Sequence, residues 1–193
     1  MENNLPIRKP LRLFKYNYSS PGAYFVTFCT HNRQQILSTV GAIHESPDEE
    51  RAKNTVGAIH ESPVQRHKKP KVLLTSFGHY VEALITDLPE HLNVSVPHYI
   101  IMPDHVHVIF EIVENEKLRA MRFEAAEYRS IISKAVGYIK MNSSKSIKNK
   151  TPETKIWQRG FYDHIIRNET DYREVVDYIY NNPLKWLYEH NIY

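Results

Sequence analysis

Residues 102–110 read MPDHVHVIF, with two histidines, His105 and His107, spaced two apart in an otherwise apolar run. In a strand, residues two apart point to the same face. The two imidazoles would then stand side by side, with Val106, Val108 and Phe110 turned the other way, into a core. Paired neutral imidazoles are a common beginning of a metal site. A bare His-x-His is a weak motif, however, and two polar-face histidines without a ligand are the competing reading.

A divalent ion needs more ligands, and the C-terminal stretch DYIYNNP offers a candidate. Tyr178 and Asn182 are four apart, so on a helix they share one face. Asn182 is expected at the helix end, because Pro183 follows and disfavours continuation. Two histidines and an amide oxygen would hold a metal with open positions. All three ligands are neutral, so affinity should stay modest until an anionic substrate arrives. That favours exchangeable Mg²⁺ or Mn²⁺ acting on phosphate over a permanently held zinc.

Tyr178 would sit one helical turn from that metal. A phenol of ordinary pKa, about 10, is ionised in only about one molecule in a thousand at neutral pH. A metal that stabilises charge on the attacked phosphate would supply the help such a nucleophile needs. With 13 tyrosines in the chain, a partly buried aromatic of an amphipathic helix is the competing reading. Tyr172 and Tyr180 lie close in sequence but lack the four-residue relation to Asn182.

The elements that must position these residues follow from pattern. AYFVTFCTHN (23–32) predicts a strand after the turn signal SSPG. Residues 71–92 carry helical spacing, closed near Pro89. Residues 94–102 and 105–113 predict two strands joined at Pro-Asp as an antiparallel hairpin. Residues 125–142 place Ile131, Ile132, Ala135, Val136 and Ile139 on one helical face. Residues 155–168 are expected to be extended in their second half, and 169–182 helical. The order strand, helix, strand, strand, helix, strand, helix predicts an α+β sandwich: one antiparallel sheet with helices on a face.

With 193 residues the chain suffices for one domain, expected to span 1–193. The composition, 41% hydrophobic and 24% charged, is that of a globular protein. Cys29 is the single cysteine, which excludes a disulfide framework and a four-cysteine zinc site. No apolar run nears membrane-spanning length, and the first 20 residues lack the apolar core of a signal peptide. A cytoplasmic location away from membranes is the expectation.

Net charge is only +3, but it is unevenly spread. Arg129 to Lys150 holds six basic residues and no acid, and RKPLRLFK (8–15) holds four more. Two such segments suggest a polyanion contacted at defined places, against the alternative of solvated surface. Lys134, Lys140, Lys145 and Lys148 on the basic helix are candidates for phosphate contacts, as are Arg8, Lys9, Arg12 and Lys15. Just before the last helix, Arg159 and Arg167 are further DNA-binding candidates. Trp157 could stack on a base, although core packing is the stronger reading for Trp157, Tyr162 and His164.

TVGAIHESP occurs twice, at 39–47 and 55–63, with a period of 16 residues. Two copies are too few for a solenoid. Residues 38–69 therefore read as an irregular surface-loop insertion. The peptide GAIHESP can be encoded by GGGGCGATTCATGAATCGCCC, which equals its own reverse complement once the first base is dropped. Two read-through copies of a palindromic DNA repeat would produce this pattern. Codons that break the symmetry in both copies would exclude it.

MPDHVHVIF resembles the His-hydrophobic-His motif of the HUH endonucleases. WQRGFYDHIIRNETDYREVVDYIYNNPLKW (157–186) is similar to the C-terminal signature of REP-associated tyrosine transposases, and YNYSSPGAYFVTFCTHNRQ (16–34) resembles their first strand. The resemblance covers most of the chain outside 38–69. It implies a ferredoxin-like fold with about four to five strands and the nucleophile on the C-terminal helix. It implies His105, His107 and Asn182 as metal ligands and Tyr178 as nucleophile. The implied reaction is cleavage and rejoining of single-stranded DNA at hairpin-forming palindromes, through a 5′-phosphotyrosine link, in a prokaryotic, nucleoid-associated setting. The energy kept in that link agrees with the absence of a Gly-x-x-x-x-Gly-Lys loop. The resemblance implies a monomer or a homodimer and leaves the choice between them open.

Three rivals make different predictions. A catalytically silent, domesticated palindrome-binding protein would bind without cleaving. An RNA-binding module would expose aromatics on its central strands, where histidines stand here. A phosphoesterase using water would survive loss of Tyr178.

Overall fold

The computed structural model describes residues 20–42, 70–113, 130–148 and 155–190. Strand β1 (Gly22–Cys29) is rich in aromatic and β-branched residues. Tyr24, Val26 and Phe28 are fully buried on one side of it, and Phe25 and Thr27 face the other. After the 3₁₀ turn His31–Arg33 come β2 (Ser38–Ala42) and β3 (Pro70–Leu74), which pair with each other. Helix α1 (Ser76–Thr86) and the short α2 (Leu88–His91) lead to β4 (Ser95–Ile101) and β5 (His105–Ile112). Helix α3 (Ile131–Lys148), β6 (Tyr162–Ile166) and α4 (Glu169–Glu189) complete the order.

The main sheet runs β4-β5-β1-β6, antiparallel at every step. In chain order these strands lie second-third-first-fourth, which is the ferredoxin-like arrangement. The expected hairpin is present: Ile101 faces Val106, and the Met102 amide donates to the His105 carbonyl at 2.8 Å. Helices α1 and α3 pack on the face carrying Val26, Phe28, Val106 and Val108. Helix α4 lies across the other face, where Val175 and Ile179 meet Phe25 and Ile109. The sheet is therefore covered on both sides. This explains why β5 is buried along nearly its whole length, histidines included.

Three boundaries differ from the sequence expectation. The irregular stretch expected from residue 38 does not begin there. Ser38–Ala42 is a strand in register with Pro70–Leu74, and Val40 and Val72 pack beside Trp186 and Met102. Residues 43–69, with most of the repeat, lie outside the described residues. The helix expected from 71 starts only at Ser76. Thr75 is its N-cap, its hydroxyl accepting from the Gly78 amide at 3.0 Å, and residues 70–74 alternate in burial as a strand does. The helix expected from 125 runs Ile131–Lys148, and 125–129 lie outside the described residues.

A fourth difference reshapes the site. Helix α4 does not end at Asn182 but continues through Pro183 to Glu189. An internal proline costs about 3 kcal/mol, through a lost hydrogen bond and a ring clash. Trp186 and Leu187, beyond it, are buried against Met102 and Val40. Each such burial contributes about 1.5–3 kcal/mol, which outweighs the proline.

Candidate active site

Chain pairing sets the geometry. His105 and His107 project from β5 toward α4, and register places Thr27 of β1 opposite His107. Both histidines are buried, as is Asn182. His105 Nε2 and His107 Nε2 are 3.0 Å apart, and the Asn182 amide nitrogen is 3.1 Å from His107 Nε2. Tyr178 stands one turn before Asn182 on α4, half-exposed, its ring edge-on to His107 with centroids 5.2 Å apart. The four residues singled out for chemistry in the sequence thus share one open cavity of about 500 Å³. Phe25 stacks on His107 and meets Tyr178 edge-on, fixing the two rings relative to each other.

The imidazoles are oriented from behind. Asp104 Oδ1 lies 2.5 Å from His105 Nδ1, and Thr27 Oγ1 lies 2.7 Å from His107 Nδ1. A carboxylate only accepts, so His105 Nδ1 carries a proton. The Asn182 amide donates to His107 Nε2, so the His107 proton is on Nδ1, pointing at Thr27. Burial first, then the electrostatic influence of His105, Arg33 and Lys185, lowers the His107 pKa to about 2. His107 is therefore neutral at physiological pH, as a metal ligand must be.

This donor set fits a divalent ion. Two bare ring nitrogens 3.0 Å apart repel unless a proton or a cation lies between them. Two adjacent ligands of an octahedral ion, each bound at about 2.1 Å, stand about 3 Å apart. An Asn182 amide turned over would present its oxygen to the same point. Among the described residues there is no group of three His, Cys, Asp or Glu side chains able to hold a metal. His105, His107 and Asn182 are the neutral donors that the fold brings together in this cavity.

Thr27, Arg33, Asp104 and Lys185 are among the lining residues that the sequence reading did not single out. Arg33 Nε is 2.8 Å from Asp104 Oδ2, and Nη1 donates to Cys29 Sγ at 2.8 Å. Lys185 Nζ lies 5.9 Å from the Tyr178 ring centroid. Asp104 could have been noticed for directly preceding the histidines. Lys185 shares the face of Tyr178 and Asn182 only if the helix passes Pro183.

The expected DNA-binding residues are scattered. Lys134, Lys140 and Lys145 lie on α3, which packs on the opposite face of the sheet. Lys140 is held inward: its ammonium donates to the Gln158 and Gly160 carbonyls at 3.0 and 2.5 Å. Burial lowers its pKa to about 8. Arg159 and Arg167 are exposed and do not line the cavity, whereas Tyr162 does. Arg8, Lys9, Arg12, Lys15 and the Lys148 side chain lie outside the described residues. Trp157 packs against Phe28 and Phe77 and donates to Ser143 Oγ at 2.9 Å, so it belongs to the core. His164 is bound to Asp171 at 2.9 Å.

Comparison with known proteins places this geometry in context. A REP-associated tyrosine transposase of Escherichia coli is 31% identical over 123 residues, 62% of this chain and 62% of that protein. The solved structure of a REP-associated tyrosine transposase bound to a REP hairpin superposes with a TM-score of 0.51 at 20% identity, covering 92% of this chain and 74% of that one. The chain is a relative of the REP-associated tyrosine transposases. An uncharacterized Haemophilus influenzae protein is 29% identical over 188 residues, 93% of this chain and 89% of its own length. No protein-family model matches. Like the solved transposase, the chain has an antiparallel sheet with helices packed on it. Among the described residues no helix is long and apolar enough to cross a membrane.

Proposed function

We propose that this relative of the REP-associated tyrosine transposases is a metal-dependent single-stranded DNA nuclease and strand transferase acting at hairpin-forming palindromes. The observation that carries the reading is the convergence of Tyr178, His105, His107 and Asn182 in one open cavity. The names of its relatives, and the REP hairpin bound to the solved structure, supply the substrate class. His105, His107 and Asn182 would hold Mg²⁺ or Mn²⁺. When bound, the ion would polarise the attacked phosphate and stabilise its developing charge.

Tyr178 Oη attacks the phosphorus of a backbone phosphodiester. An Oη–P bond forms and the P–O3′ bond breaks. The phenol proton passes to solvent, and the departing 3′-oxygen takes up a proton. The product is a 5′-phosphotyrosine with a free 3′-hydroxyl. Attack by a 3′-hydroxyl reverses the step, so rejoining needs no nucleotide cofactor.

The test uses 3′-labelled single strands containing GGGCGATTCATGAATCGCCC with flanks, plus Mg²⁺ or Mn²⁺, on a denaturing protein gel. A labelled band at the protein's mass, lost in Tyr178→Phe and with EDTA, is expected. Cleavage that survives Tyr178→Phe without an adduct would mean a water-using phosphoesterase. Tight binding with neither product would mean a silent palindrome-binding protein.

A further inference from the structure

The metal-ligand trio carries no negative charge, yet two cations reach the same cavity from different elements. Arg33 comes from the turn after β1, and Lys185 comes from α4 beyond Pro183. The Arg33 turn is strained: Asn32 and Arg33 both sit in the left-handed region, at φ 51 and 56. Neither is glycine, so the conformation persists only because its surroundings enforce it. Its flanks do so, through the Thr30 and His31 amides donating to the Asp104 and Ile156 carbonyls at 2.9 and 2.8 Å.

The strain places Arg33 where Asp104 and Cys29 fix its guanidinium, while half of the side chain stays exposed. Five donors in a rigid fork leave others for a ligand. Lys185 is more loosely held. Its ion pair with Glu189 spans 3.7 Å between two exposed groups, and its ammonium lies over the Tyr178 ring. A contact of that kind is readily exchanged. Both side chains line the same cavity as Tyr178 and His107.

We infer that Arg33 and Lys185 are the phosphate-holding groups of this site, gripping the phosphodiester that Tyr178 attacks, with Lys185 exchanging Glu189 for the phosphate. The inference rests on the nuclease reading above. Arg33 would bring a fixed fork to the phosphate oxygens, and Lys185 a mobile point charge beside the nucleophile. Asp104 joins Arg33 to His105, so one carboxylate orients both a phosphate ligand and a metal ligand.

The experiment uses the full chain as wild type, Arg33→Gln, Arg33→Lys, Lys185→Gln and Lys185→Arg. Arg173→Gln serves as a charge-removal control, since Arg173 is paired with Glu169 on the surface of α4. The adduct assay first maps the wild-type cleavage position. Both Gln variants should form adduct about ten-fold or more slowly, with Lys185→Arg close to wild type. Binding is then measured without metal, each variant carrying Tyr178→Phe, on DNA with a charged or a methylphosphonate linkage at the mapped position. On charged DNA each Gln variant should bind more weakly and lower the salt slope by about 1. On methylphosphonate DNA that penalty should vanish, because the group contacted no longer carries its charge.

A penalty equal on both DNAs, or adduct formation at the control rate, overturns the inference and leaves the nuclease reading standing. No wild-type adduct on any hairpin strand overturns both. Arg33→Gln could fail to fold, which circular dichroism would reveal. Arg33→Lys and the exposed Lys185 variants then decide the matter on the same two DNAs.

Discussion

The ring of Tyr178 meets the ring of His107 edge-on, with centroids 5.2 Å apart and planes at 67°. Of the four tyrosines on α4, Tyr172, Tyr178, Tyr180 and Tyr188, Tyr178 is the one lining the cavity. Tyr172 donates to Glu111 at 3.0 Å, and burial with that bond raises its pKa to about 12. Tyr180 is engaged with His98 at 3.1 Å. Tyr178→Phe should therefore lower adduct formation at least about a thousand-fold, as expected for loss of a nucleophile. Tyr172→Phe and Tyr180→Phe should stay within a few-fold of wild type. A denaturing gel of the three variants with labelled hairpin DNA checks this, and loss in Tyr180→Phe instead would reassign the nucleophile.

The groups behind the imidazoles should matter to the metal. Asp104→Asn removes the charge of the partner of His105 Nδ1, and Thr27→Val removes the partner of His107 Nδ1. Such outer partners typically contribute about 10- to 100-fold in metal affinity. Mn²⁺ binding followed by electron paramagnetic resonance should weaken by that factor without any DNA present. Unchanged Mn²⁺ affinity in both variants would argue against the trio as the metal site.

The continuation of α4 past Pro183 is held by packing. Trp186 is buried, near His105 and stacked on His190 with centroids 3.9 Å apart. Trp186→Ala should cost about 3–5 kcal/mol and release the last turn that carries Lys185. Pro183→Ala should do the reverse. It restores an amide donor to the helix, a gain of up to about 3 kcal/mol, less about 1.5 kcal/mol for lost buried methylenes. Urea unfolding of both variants would show opposite shifts in midpoint if the helix is continuous.

Lys140 gives a pH signature. Its folded pKa, lowered by burial to about 8, lies below the ordinary lysine value of 10.5. Between those values the unfolded chain binds more protons, so stability rises with pH there. The contribution is present above about 10.5 and lost as pH falls through about 8. Wild type should therefore gain stability relative to Lys140→Met between pH 8 and pH 10. Paired denaturation curves across that range measure it. A flat difference would show that the ammonium is not held inward.

Local pattern and chemical type determined much of this protein. The alternation in β1 and β5 put Val106, Val108 and Phe110 into the core and the histidines on the other face, because strand periodicity is a backbone property. The i,i+4 relation of Tyr178 and Asn182 needed only one helical turn. Tertiary structure decided what local signals could not carry. Proline chemistry argues that α4 stops at Asn182; distant contacts with Met102 and Val40 extend it to Glu189 and bring Lys185 to the nucleophile. Register between β1 and β5, set by long-range pairing, gave His107 its Thr27 partner. The coverage of both sheet faces separated the α3 lysines from the cavity, since charge counted along the chain does not say which side of a sheet it occupies. The left-handed turn that aims Arg33 is imposed by its neighbours, against the preference of its own residues.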